Sequence, residues 1–144
     1  MALVLWSGLS CRTMAPWAPS DLSAPGWQVR QGQAVWKPSR DRPELAGDLL
    51  VAVKTNGDFL AQFSKTPFSL ASVEARGGRW RIEFGPRSWS GRGAPPDRFV
   101  WFQLAPLLAG RPLSGRWHVS GRPDHAWRLE NSGTGEILEG QFFQ

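Results

Sequence analysis

Few residues in this chain could make or break a bond. Cys11 is the only thiol, and His118 and His125 are the only imidazoles, among 144 residues. One thiol and two imidazoles do not fill the four-ligand shell of a structural zinc, and a lone cysteine forms no disulfide within its chain. No Gly-x-Ser-x-Gly elbow, phosphate-binding loop or close Cys/His pair occurs. Glu136 and Glu139 lie an odd number of residues apart in a strand-like run, so their carboxylates fall on opposite faces. His118 is opposite in parity to Trp117 and is expected at the surface, and Asp124-His125 falls in a turn. This inventory points to a non-enzymatic protein that needs no metal and no cofactor.

Two kinds of chemistry remain, attachment of lipid at Cys11 and apolar contact through aromatic rings. Residues 1–11 read MALVLWSGLSC, a short apolar run ending in small residues and a cysteine. This is similar to the end of a bacterial lipoprotein signal peptide. There the thiol takes a diacylglycerol through a thioether, and the small residues let a peptidase reach the bond. Gly8 stands where that pattern favours leucine, and no Lys or Arg precedes the run. Residues 12–26 are rich in Pro, Ala and Ser, as a semi-extended tether would be. The expected organisation is a signal segment at 1–11 with Cys11 as lipid anchor, a tether at 12–26 and a folded domain at 27–144.

The aromatic set is nine Trp, eight Phe and no Tyr, on a chain of formal charge +5. The charge invites anionic partners, but the basic residues are dispersed. From Trp27 onward, apolar and polar residues alternate with period two in several short runs, the signature of half-buried strands. Trp80, Ile82 and Phe84 share one parity, as do Leu49, Val51 and Val53, while Arg79, Arg81 and Glu83 take the other. Asn56-Gly57 is the strongest hairpin signal, and Gly32 is a candidate bulge. Residues 95–112 break the pattern and predict a helix, with Asp97 as N-cap and Gly110 as the C′ residue. Trp101, Leu104, Ala105 and Leu108 form one stripe, with Phe99 and Phe102 on the other side. Pro106 predicts a kink or two short helices. A helix resting on a sheet needs one apolar face; this one has two, so its second face should be covered. The expected fold is mainly β, a curved antiparallel meander of about eight strands with one helical lid insertion.

With these residues placed, residues 27–143 resemble the bacterial outer-membrane lipoprotein-carrier family of the LolA/LolB type, nearer LolB. The resemblance rests on the cysteine with its tether, the long hairpin at 27–64, Thr66-Pro67-Phe68-Ser69-Leu70 between two strands, and the Gly77-Gly78 turn. Leu107-Leu108-Ala109-Gly110-Arg111-Pro112 at the helix end and Trp127-Arg128-Leu129-Glu130 before a terminal strand complete it. The resemblance implies a half-barrel enclosing an apolar cavity for the acyl chains of lipoproteins or lipids. It implies Trp80, Trp117 and Trp127 on the concave side, Phe99, Trp101 and Phe102 as lid, and Phe68 as a protruding apolar residue that aids release. It further implies a lipid-anchored outer-membrane protein of the bacterial cell envelope, facing the periplasm and receiving cargo from a periplasmic carrier protein. Transfer would need no bond chemistry, because each methylene moved from water into an apolar site gains ~0.8 kcal/mol.

Two other classes compete. A structural or interaction lipoprotein would have the same N-terminus and a filled core. A single-stranded nucleic-acid-binding β domain would fit the charge, but it needs Trp and Arg on one face, and alternation puts them on opposite faces. Trp80, Trp117 and Trp127 on the solvent side would exclude the carrier.

Overall fold

Each alternating run becomes a strand because one face of it is apolar and the other can face water. The computed structural model describes residues 20–144. Its strands are β1 Gln28–Lys37, β2 Leu45–Val53, β3 Phe59–Lys65, β4 Phe68–Arg76, β5 Arg79–Phe84, β6 Arg87–Arg92, β7 Trp117–Gly121, β8 Ala126–Asn131 and β9 Ile137–Phe142. All pair antiparallel in one open sheet, in the order β6-β5-β4-β3-β2-β1-β9-β8-β7. The ninth strand is β6, which pairs with β5 from Arg87↔Phe84 to Arg92↔Arg79.

The order departs from a single up-and-down meander. β1 to β6 form one meander and β7 to β9 a second, and β9 joins them by pairing with β1 from Gly32↔Phe142 to Lys37↔Ile137. Gly32 is not a bulge. It is in regular register with both Leu49 and Phe142, and a Cβ there would run into the Gln141 carbonyl, so glycine permits close approach of β9. The irregularity lies at Phe63/Ser64. At the expected hairpin, Gly57 has φ 95°, and its N–H donates to the Lys54 carbonyl at 3.0 Å.

The helical segment is shorter than its pattern predicts. A 3-10 turn, Val100–Gln103, runs into a five-residue helix, α1 Leu104–Leu108. Asp97 caps neither, since the turn starts after Phe99 with no side-chain cap. Pro106 is the third residue of α1, where a backbone N–H has no partner inside the helix, so it is accommodated. Gly110 does terminate the helix, with φ 65°. The Gly110 and Arg111 amides donate to the Leu107 and Pro106 carbonyls at 3.2 and 2.9 Å, a Schellman end.

Both sides of this segment are covered. Val100, Trp101, Phe102, Leu104 and Leu107 are all buried, in one core with inward residues from β1, β2, β3, β4, β5, β7, β8 and β9. Ser20, within the expected tether, touches the sheet: Arg76 donates to its hydroxyl at 3.1 Å. Cys11 and the signal segment lie outside the described residues.

Candidate functional site

The inward parity of the strands, together with the helical segment, gathers most of the rings. Trp101 is 1% exposed and lies 5.3 Å from Trp36, 5.2 Å from Phe63 and 6.5 Å from Phe84 between ring centroids. Trp36 stacks on Phe84 at 5.5 Å, although β2, β3 and β4 separate their strands. Trp80 meets Phe99 at 6.4 Å and Phe102 at 6.1 Å, and Trp89 meets Phe99 at 5.8 Å. Of the residues singled out from sequence, Trp80, Phe99, Trp101 and Phe102 therefore belong to one ring cluster.

Trp117 and Trp127 are also buried on the core side, in other surroundings. Trp117 donates its indole N–H to the Asp97 carbonyl at 2.6 Å. Trp127 stacks on Phe142 at 5.5 Å. The indole N–H groups of Trp101 and Trp127 are buried without a hydrogen-bond partner. Phe68 is 69% exposed where β4 begins. Asp124 and His125 are 3.8 Å apart and mostly exposed.

Polar contacts hold the helical segment down. Gln103, 3% exposed, donates to the Asp97 carbonyl at 3.3 Å and accepts from the Ser114 backbone N–H at 3.4 Å. The Ser114 hydroxyl donates to the Asp97 carboxylate at 2.9 Å. Asp97 thus ties the start of the insertion to its end rather than capping a helix.

Trp36, Phe63, Phe84, Trp89 and Glu136 are cluster members that the sequence-based site omitted. In β1 the apolar Val29 and Val35 take the parity opposite to Trp36, so alternation does not find it, while Phe84 shares the parity of Trp80 and Ile82. Nothing local marks Glu136. It accepts the Trp36 indole N–H at 3.0 Å, and burial raises its carboxyl pKa from 4.5 to about 7, with that hydrogen bond pulling the other way.

A small mouth of about 180 Å³ opens between α1 and the turn end of the β2–β3 hairpin. Its lining is apolar at Val53, Phe59, Ala105 and Leu108 and polar at Gln28, Arg30, Lys54, Asp58 and Arg111. Among the described residues, no helix is long and apolar enough to cross a membrane. The chain matches no protein-family model, and no curated protein is similar to it at a significant level.

Proposed function

We propose that this protein is a non-enzymatic, acyl-chain-binding β domain, a LolB-like envelope lipoprotein that receives acylated cargo from a periplasmic carrier and passes it to the outer membrane. The observation that carries this reading is the mouth beside α1. Val53, Phe59, Ala105 and Leu108 give it an apolar part and Arg30, Lys54 and Arg111 a cationic one, which suits the end of an acyl chain with an anionic headgroup. The stack of Trp36 on Phe84 supports a half-barrel. In a flat sheet, strands four positions apart would be about 19 Å apart, yet the rings are in contact. In this reading Phe99, Trp101 and Phe102 act as the lid, and Phe68 is the apolar residue offered to the membrane or the carrier. Cys11 supplies the anchor.

Native mass spectrometry of the protein with a diacylated peptide and with palmitate tests this. A one-to-one complex that is lost in Leu108→Arg is expected; absence of any complex with the unaltered protein overturns it. A structural or interaction domain with a filled core is the second reading, favoured by rings packed 5.2–6.5 Å apart beneath the helical segment. That second reading predicts no complex. Nucleic-acid stacking is disfavoured because Trp117 and Trp127 are buried.

A further inference from the structure

The open sheet has two free edges, and they differ. β6 has an arginine at each end, and the glycine after it is bonded back to the sheet, Gly93 N–H to the Gly78 carbonyl at 2.8 Å. Charges on an edge strand discourage further pairing. β7, Trp-His-Val-Ser-Gly, carries no Lys, Arg, Asp or Glu.

The direction of its backbone groups follows from bonds at its two ends. Ser132 N–H donates to the Arg116 carbonyl at 3.1 Å, and Arg122 N–H to the Ala126 carbonyl at 3.3 Å. These pairs continue the register that sets Trp117 opposite Asn131 and Gly121 opposite Trp127. Bonded pairs alternate with non-bonded ones in an antiparallel ladder, so His118 and Ser120 bond to β8. Val119 and Gly121 then direct N–H and C=O away from the sheet. β8 agrees, because Asn131 N–H donates to the Glu136 carbonyl at 2.9 Å and so assigns the odd residues of β8 to β9. Val119 is 50% exposed, one of the few large apolar side chains left so.

We infer that the β7 edge is a docking site for an extended peptide segment of another protein, with an apolar residue beside Val119 and acidic residues at its ends. Charge selects this occupant. Arg116 and Arg122 lie just outside the two ends of β7 and both are exposed, with the exposed His118 between them. Asp124, 3.8 Å from Arg122, offsets only one of the two arginines. A second copy of the chain fits worse. Antiparallel pairing of two β7 strands with full overlap, centred on Val119, sets Arg116 of one copy opposite Arg122 of the other at both ends, a destabilising arrangement. A strand with acidic ends turns the same positions favourable, and its backbone completes the ladder. This surface is independent of the mouth beside α1.

The test uses the full chain and a blocked seven-residue peptide of alternating threonine and valine with glutamate at each end. Binding is expected to slow amide exchange at Val119 and Gly121, read by NMR. Val119→Pro removes an N–H that no β8 carbonyl accepts, so the fold should survive while affinity falls about tenfold or more. Arg122→Glu leaves the strand intact and should weaken the glutamate-ended peptide while improving a lysine-ended one. No binding, equal binding by Val119→Pro and the unaltered protein, unchanged charge preference in Arg122→Glu, or a dimer of the chain formed through β7 would each overturn the inference.

Discussion

The two meanders bury their tryptophans by different means. Under the helical segment, Trp101 is held by rings from β1, β3 and β5, and those rings also touch one another. In the second meander, Trp127 has one ring partner, Phe142, and lies across Gly140, where an added Cβ would sit 2.9 Å from the indole. Trp117 is fixed by a hydrogen bond to Asp97. Mutual ring contact spreads the cost of an error over many neighbours. A seat made by a missing side chain concentrates it at one position.

The largest expected effect is at Trp101. Trp101→Ala should destabilise the fold by about 3–5 kcal/mol in urea melts, because it empties the centre of the ring cluster. A loss below 1 kcal/mol would mean that the cluster is loosely packed and would break the comparison. Gly140→Val comes next, at about 2–3 kcal/mol: its Cβ would press on the Gln33 carbonyl at 2.6 Å as well as on Trp127. If Gly140→Val is tolerated within measurement error, the glycine seat is not what holds Trp127.

Glu136 connects the two meanders through Trp36, and its effect depends on pH. Its carboxyl titrates near 7 in the folded chain against 4.5 in the reference state. The folded state therefore holds a proton that the unfolded chain has released between those values. The resulting stability is complete below 4.5 and is lost as pH rises through about 7, a change on the order of 2–3 kcal/mol. Glu136→Gln, which keeps an acceptor for Trp36, should flatten this dependence and raise the melting temperature at pH 8. An unchanged pH profile would show that Glu136 is solvated and does not couple the meanders. The smallest effect is expected at Phe68. Phe68→Ser should change stability by less than about 0.5 kcal/mol while reducing release of acylated cargo to membranes. A large loss of stability would place Phe68 in the core instead.

Much of the molecule was legible because it is local. Inward parity at Trp80, Ile82 and Phe84 follows from the strand period, and the end of the helix at Gly110 follows from glycine's access to positive φ. The extent of the helix was less legible. Phe99, Trp101 and Phe102 fit a helical wheel, but a 3-10 turn buries them as well, and apolar spacing alone does not separate the two over so short a stretch. Asp97 has the chemistry of a cap, yet its carboxylate and carbonyl serve Ser114 and Trp117, which lie 17 and 20 residues away.

By itself, then, the sequence determined the inward faces of β2 and β5, the hairpin turn, the stop at Gly110 and an insertion apolar on both sides. Each of these depends on residue type and near-neighbour spacing. Only the tertiary structure decided that β9 lies beside β1 and that β7 becomes a free edge. It alone brought Trp36 onto Phe84 and Glu136 onto Trp36, partners 100 residues apart. Such contacts arise when separate amphipathic strands share one core, and no local period records which of them will meet.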